Sequence, residues 1–124
     1  MTSDQAALRG KATELFAGVP VRDLDVSLPW YEKLLGASPA FYPNESEAVW
    51  ALADHRWLYL IVDPARAGGT IQTIICDDLE VLIADIEARG LSFQREERPA
   101  EGVRKVMYDD PDGNEIGLGR VPAA

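Results

Sequence analysis

Few side chains in this sequence have the chemistry that a catalytic centre needs. The chain contains one histidine, His55, and one cysteine, Cys76, so any Ser-His-Asp or Cys-His arrangement would depend on a single imidazole. His55 lies in a predicted turn between two charged residues and is interpreted as a solvated turn residue. Cys76 ends an apolar predicted strand and is interpreted as a small buried side chain. No nucleophile motif accompanies either residue, so the sequence does not indicate covalent catalysis.

The remaining candidates are a carboxylate, a phenol and two tryptophans. Glu115 could pair with a basic residue, bind a ligand cation, or act as a general base if desolvation raises its pKa. Tyr59 is the candidate polar partner for such a base. Trp50 and Trp57 lie on neighbouring predicted strands, where they could stack on a planar ligand or anchor the sheet or a subunit interface.

Composition and charge exclude several classes of function. The net charge of −9 disfavours nucleic-acid binding, because phosphates would be repelled. The acidity indicates either solubility or attraction of a cationic ligand, and the clusters Glu45–Glu47 and Glu96–Glu97 are interpreted as solvated charges. No apolar run is long enough to span a membrane and no apolar signal core is visible. With a single cysteine, these features predict a cytoplasmic location.

The first half of the sequence predicts a strand, a helix and three more strands. Residues 14–22 form the first strand, in which Pro20 cannot donate to a ladder. Apolar residues at helical spacing follow, and Pro29, which is tolerated only near a first turn, places the helix start at about 25–27. Gly36 ends that helix as a C-terminal glycine. Three short strands are then predicted at 39–43, 46–53 and 56–62.

The second half repeats this order. Residues 70–76 predict a β-branched strand, and Asp77-Asp78 begin a helix that Gly90 ends. Three strands are predicted after it, at 91–97, 102–109 and 114–119. The repeat is visible at the helix starts, where Val21–Val26 aligns with Cys76–Val81 at an offset of 55 residues.

The repeat defines the predicted domain organisation. One such module cannot cover its own sheet face, so two modules must pack together, within one chain or across a dimer. The predicted order is a flexible tail at 1–13, module 1 at 14–63, a linker at 64–69, module 2 at 70–120 and a tail at 121–124. The two modules together form one domain.

Three motifs carry a resemblance to a known family. The turn Asp110-Pro111-Asp112-Gly113 precedes the last strand, and the two helix starts read VRDLDVSLPWYEKLLG and DDLEVLIADIEARG. Over about residues 14–120 this arrangement resembles the vicinal-oxygen-chelate superfamily, which includes glyoxalase I, bleomycin-resistance proteins, fosfomycin-resistance enzymes and extradiol dioxygenases. The resemblance implies an α+β fold with two βαβββ modules, in which curved mixed sheets surround a cleft and the helices lie outside.

The same resemblance identifies where metal ligands would lie. In metal-using members, each module supplies one ligand from its first strand and one from its last. Those positions fall here on Phe16, Tyr59, Ile71 and Gly117. Tyr59 alone has a side-chain oxygen, and its phenol has a high pKa. We therefore expect a member of the superfamily that lacks the metal ligands, with no metal and no cofactor.

Strand alternation predicts what replaces the metal site. Alternate strand residues share a face with the four ligand positions and are expected to line the same cavity. Most of these residues are apolar or aromatic and one is a carboxylate, a composition that suits a small-molecule site. The alternative is that these side chains fill a collapsed core. The predicted ligand-binding residues are Phe16, Trp50, Trp57, Tyr59, Ile71, Thr73, Glu115 and Gly117.

Four functions are consistent with this sequence. The resemblance to bleomycin-resistance proteins implies a homodimer that sequesters a planar or cationic small molecule, such as an antibiotic, without a metal. A second hypothesis is a metal-independent lyase, isomerase or epimerase with Glu115 as base and Tyr59 as partner. A third is a metal-dependent glyoxalase or dioxygenase with displaced ligands. The fourth is an interaction module whose cavity has collapsed.

Overall fold

Nine elements form two successive modules in the computed structural model, which describes residues 6–123. This arrangement confirms the predicted fold class of two βαβββ-like modules. Residues 1–5 and 124 of the predicted tails lie outside the described residues, and the domain boundaries stay a prediction. Each element has the following bounds: β1 Leu15–Val21, α1 Leu24–Leu35, β2 Glu47–Ala53, β3 Arg56–Val62, β4 Ile71–Ile75, α2 Leu79–Ala88, β5 Arg95–Glu97, β6 Arg104–Asp109 and β7 Glu115–Arg120.

Each module builds its own mixed sheet. Sheet A has the order β1-β3-β2 and sheet B the order β4-β7-β6-β5. In both sheets the first strand of the module pairs in parallel with the last strand, and the remaining pairs are antiparallel. The registers are equivalent, because Gly18 pairs with Tyr59 in sheet A and Thr73 pairs with Gly117 in sheet B. The sequence repeat is therefore also a structural repeat.

Two predicted strands are shorter than expected. The segment predicted as a strand at 39–43 contributes only one backbone pair, between Phe41 and Val49. Pro39 in this segment has no amide hydrogen to donate to a ladder, which accounts for its brevity. The strand predicted at 91–97 is reduced to Arg95–Glu97, while Leu91 and Phe93 before it pack against the core.

Helix α1 begins earlier than the predicted start at 25–27. Asp23 is its N-cap, and the Asp23 carboxylate accepts a hydrogen bond from the Asp25 amide at 3.0 Å. Pro29 consequently lies inside the helix, where it removes one backbone hydrogen bond. Gly36 ends the helix at φ 78°, in the left-handed region that favours glycine, so the predicted helix end is confirmed.

Both helices pack on one side of the two sheets and share one hydrophobic core. The core takes Tyr31 and Leu34 from α1, and Leu79 and Ile86 from α2. The strands add alternate residues of both sheets: Val19, Val21, Ala48, Trp50, Leu58, Leu60, Val106, Tyr108, Ile116 and Leu118. Because strand side chains alternate, the residues between these positions lie on the opposite face of each sheet, which we call the open face. Within residues 6–123, no helix has the length and hydropathy that a bilayer crossing needs.

A buried polar network joins the last hairpin to the first module. The Asp110 carboxylate accepts hydrogen bonds from the Tyr31 hydroxyl at 2.7 Å and from the Asn114 side chain at 2.9 Å. The Asn114 amide nitrogen also donates to the Pro20 carbonyl at 2.8 Å. Burial, and then the neighbouring Asp110 charge, raise the pKa of the Tyr31 hydroxyl, so it stays a donor.

The same asparagine fixes the linker between the modules. The Asn114 side-chain oxygen accepts hydrogen bonds from the Gly68 amide at 3.0 Å and the Thr70 amide at 3.1 Å. Next to it, Arg22 of module 1 forms an ion pair with Asp112 of the hairpin turn at 3.0 Å. Asn114 therefore holds three separate segments of the chain together.

We predict that Asn114→Ala lowers the free energy of unfolding by about 2 to 4 kcal/mol, because several buried polar groups lose their partner at once. Tyr31→Phe removes only one donor to Asp110 and is expected to cost about 1 to 2 kcal/mol. Urea unfolding of each variant measures both values. The matched control is Tyr42→Phe, since the Tyr42 side chain is exposed. Equal stability of wild type and Asn114→Ala would refute the structural role of this network.

Candidate ligand-binding site

The open face of sheet A is lined with aromatic side chains. Phe16 on β1 pairs with Trp57 on β3, and their rings stack with centroids 5.5 Å apart and an interplanar angle of 8°. The Tyr59 ring meets the edge of Phe16 at 6.4 Å. Phe41 also packs edge-on against Trp57, with ring centroids 6.1 Å apart. Three predicted ligand-binding residues, Phe16, Trp57 and Tyr59, are thus brought together as one aromatic wall.

Gly18 allows Tyr59 to take its place in this wall. A Cβ atom at position 18 would lie 2.7 Å from the Tyr59 hydroxyl oxygen, which is closer than nonbonded atoms can approach. The Tyr59 ring therefore extends over the β1 backbone, in the space that a side chain at position 18 would occupy. The pairing of a bare glycine with a tyrosine on the neighbouring strand positions the phenol in the open face.

A cavity of about 360 Å³ lies beside the aromatic wall. Its volume is at the lower end of the range typical of small-molecule sites. The lining residues are Phe16, Phe41, Pro43, Glu47, Val49 and Tyr59. Sequence reasoning missed Phe41, Glu47 and Val49, and interpreted Glu47 as a solvated charge. Strand alternation could have placed Glu47 in the site, because Glu47 and Val49 share one face of β2 and Val49 lies opposite Tyr59.

Trp50 does not join this site, and its ligand-binding role stays a prediction. It pairs with Leu58, which faces the helices, so the Trp50 ring is buried in the core near Tyr31. Its indole N–H donates to the Ala37 carbonyl at 2.8 Å. Trp50 and Trp57 lie on neighbouring strands but on opposite faces of sheet A.

Glu14 connects His55 to the end of the aromatic wall. The Glu14 carboxylate accepts a hydrogen bond from the Trp57 indole N–H at 2.9 Å, and its other oxygen lies 2.5 Å from His55 Nδ1. These two hydrogen bonds, with Trp57 contributing most, lower the pKa of Glu14. His55 is exposed and occupies a turn position with φ 66°, as predicted for a turn residue, but it also has this carboxylate partner.

On the open face of sheet B, strands β5, β6 and β7 carry charged side chains that pair with one another. Arg95 on β5 contacts both oxygens of Asp109 at 2.8 Å and one oxygen of Glu115 at 2.9 Å. The Lys105 ammonium lies 4.0 Å from the other Glu115 oxygen. The Arg95 guanidinium holds the pKa of the Asp109 carboxyl below its usual range. We call these four residues the charged cluster.

The other predicted residues of sheet B lie beside the charged cluster. Ile71 pairs with Glu115 and Thr73 with Gly117, so all four share the open face. A Cβ atom at position 117 would lie 2.6 Å from the Lys105 side chain, which therefore crosses directly over Gly117. Trp57 and Thr73 line a common cavity between the two sheets. The contacts of Ile71, Thr73, Glu115 and Gly117 with a ligand stay predictions.

Sequence and structure comparisons identify the family. Residues 15–118 match the Glyoxalase/Bleomycin resistance protein/Dioxygenase superfamily. One similar solved structure is that of a glyoxalase/bleomycin resistance protein from Catenulispora acidiphila DSM 44928. Its sequence is 50% identical, the match covers 88% of this chain and 98% of that chain, and the TM-score is 0.85. The chain belongs to this superfamily.

More distant members share the fold. A bleomycin-binding protein solved with bleomycin is 20% identical, with a TM-score of 0.71 and coverage of 88% of this chain and 98% of that chain. An antibiotic-binding protein from Streptomyces sp. CB03234 is 22% identical, with a TM-score of 0.71 and coverage of 88% and 95%. At these identities the similarity shows the fold alone. None of the curated proteins compared with the chain matches it.

The residues at the superfamily's metal-ligand positions do not fit a metal ion. Phe16 and Tyr59 belong to the aromatic wall, where Phe16 offers no donor atom, and Gly117 lies under the aliphatic part of Lys105. Ile71 is an exposed apolar residue. Among residues 6–123, no group of three or more histidine, cysteine or carboxylate side chains is close enough to hold a metal ion.

The charged cluster generates a prediction about pH. The pKa of Asp109 is lower in the folded state than its ordinary value of about 4, so its ion pair stabilises the protein fully above that ordinary value. This stabilisation is lost as the pH falls through the lower, folded-state pKa. In urea unfolding, the stability difference between wild type and Asp109→Asn should be constant above about pH 5 and shrink below about pH 4.

The matched control for this measurement is Asp85→Asn. Asp85 is an exposed helix residue whose side chain makes no hydrogen bond to another described residue. Its substitution should leave the pH profile unchanged. A difference between wild type and Asp109→Asn that is as large at acidic as at neutral pH would show that the ion pair does not stabilise the fold.

Proposed function

We propose that this protein binds a small organic molecule with a planar or cationic group, without a metal, and protects by sequestration. The observation that carries the proposal is the cavity on the open face of sheet A, with aromatic walls and a carboxylate at its edge. Aromatic rings provide a large contact area for a planar ligand at a low entropic cost. The net charge of −9 favours the approach of a cation.

The superfamily relatives support this proposal. One relative with the same fold binds bleomycin, and another is an antibiotic-binding protein. The 360 Å³ cavity also counts against the collapsed interaction module. The cytoplasmic location expected from the sequence stays a prediction.

The two enzyme hypotheses gain no support from the geometry. Glu115, the candidate base, is engaged by Arg95 and Lys105, so its carboxylate is not free to approach a substrate proton. Tyr59, the candidate partner, lies on the other sheet. A metalloenzyme with displaced ligands would need a donor cluster, and residues 6–123 contain none with three or more members. Both hypotheses stay predictions.

Ligand binding is testable by thermal shift and calorimetry with a panel of planar and cationic antibiotics that includes bleomycin. A compound that binds only the folded state raises the melting temperature by mass action. Phe16→Ala should weaken binding of a positive compound by roughly tenfold, because a stacking ring is lost. Phe16 is 48% exposed, so this substitution should barely change the melting temperature of the free protein.

Two comparisons make this test specific. Val26→Ala removes an equally exposed apolar side chain from α1, outside the cavity, and should leave binding unchanged. Ni²⁺, Zn²⁺ and Mn²⁺ should produce no stabilisation, since only Tyr59 of the four expected ligand positions has a donor atom. Strong stabilisation by any of these ions, or no saturable binding across the panel, would contradict the proposal.

We also propose that the protein forms a homodimer through the open face of strand β4. Ile71 and Ile75 project from the open face of β4 with 66% and 55% of their surfaces exposed, and Leu15, which lines a cavity together with Ile75, is 69% exposed. Such a group of large apolar side chains is typical of an interface rather than of a free surface. A second copy of the chain is the occupant expected from the superfamily.

Analytical ultracentrifugation tests the dimer. Wild type should sediment as a dimer, and Ile71→Lys should shift the equilibrium toward the monomer because it places a charge in an apolar interface. Val81→Lys is the matched control, since Val81 is 59% exposed on the outer helix α2. A wild-type protein that stays monomeric at every concentration would refute the interface.

A further inference from the structure

We infer that Glu47 makes the aromatic cavity of sheet A selective for cations, so that its ligand is an ammonium or N-alkylated heteroaromatic cation. This inference rests on the proposed function and assigns the charge preference of the same cavity to one residue. It goes beyond the sequence prediction, in which Glu115 was the acidic group of the site.

The first argument is the position of Glu47 relative to the rings. Val49 lies opposite Tyr59 across the β2–β3 pair, and Glu47 is two residues before Val49 on the same face. Phe41 pairs with Val49 from the other side. The carboxylate therefore stands at one end of a row of aromatic faces, and all of these residues line the cavity.

The second argument is the lack of a counter-ion. Within residues 6–123, Glu47 forms no ion pair, and its one side-chain hydrogen bond is from the neutral Asn44 amide at 2.6 Å. The cavity lining contains no basic residue. Glu47 is partly buried, so water screens its charge less than it would on an open surface.

The third argument compares the other carboxylates of the open faces. Glu115 is already paired with Arg95 and Lys105, so it has little remaining attraction for a ligand cation. Glu14 is already bonded to the Trp57 indole and to His55. Glu47 is thus the carboxylate of the aromatic cavity whose negative charge is not matched by the protein.

These features together match the recognition chemistry of organic cations. A cation over aromatic faces is attracted by the negative ring surfaces, and the attraction grows when the site excludes water. A carboxylate at the edge of the rings adds a direct charge interaction. A neutral planar molecule of the same size would gain the stacking contacts but not the charge contacts.

The test uses N-methylquinolinium, a permanent cation, and quinoline, its near-isosteric neutral counterpart at neutral pH. Calorimetric titration of wild type should show binding of N-methylquinolinium that is roughly tenfold tighter than that of quinoline. In Glu47→Gln this preference should fall severalfold, to the part that the aromatic rings alone provide, while quinoline affinity stays the same. The glutamine is isosteric and can still accept the Asn44 hydrogen bond, so the fold is expected to be retained. Glu47→Ala is the second variant if it is not.

Glu45→Gln is the matched control, because it changes the net charge equally from an exposed position two residues away. It should leave the cation preference intact. Equal affinity for both probes in wild type, or an unchanged cation preference in Glu47→Gln, would overturn the inference and leave the proposed binding function standing. If neither probe binds, the inference is overturned, and the antibiotic panel decides the proposed function separately.

Discussion

The hydrogen bonds of Asn114 are the constraint on which the arrangement of the two modules depends. Between residues 6 and 123, sheets A and B share no backbone ladder, so side chains hold their neighbouring edges together. Asn114 bonds to the β1 backbone, to the linker and to Asp110, which in turn bonds to Tyr31 of helix α1. These polar groups are buried, so leaving any of them without a hydrogen-bond partner would lower the stability of the fold. The hairpin is therefore held in one defined position.

Local features of this fold could be predicted from the sequence, whereas sheet register could not. The end of α1 at Gly36 and the two similar helix starts depend only on residues that are close in sequence, so the sequence alone reveals them. The face of a strand residue depends on its pairing, and the hairpin at His55 sets that pairing for β2 and β3. The sequence therefore could not show that Trp50 faces the core, or that Glu47 faces the cavity.

The two sheets have diverged in chemistry while keeping equivalent registers. In sheet A, Tyr59 lies over Gly18 on the neighbouring strand. The position of sheet B that is equivalent to Tyr59 is Gly117, and the Lys105 side chain covers it. One open face became aromatic and the other became a set of paired charges. The positions expected to carry metal ligands thus have different chemistry in the two modules, with two aromatic residues, Phe16 and Tyr59, in sheet A and Ile71 and Gly117 in sheet B.

The bonds between the sheets have a mechanical consequence. Gln72 of β4 reaches the Gly18 carbonyl of β1 through its flexible side chain, and this contact is not part of a ladder. A rotation of one sheet against the other at this point would break side-chain contacts but no backbone pair within either sheet. Side chains rather than a backbone ladder thus hold the β1–β4 boundary, so the spacing between the aromatic and the charged faces depends on the size and bonding of the side chains there.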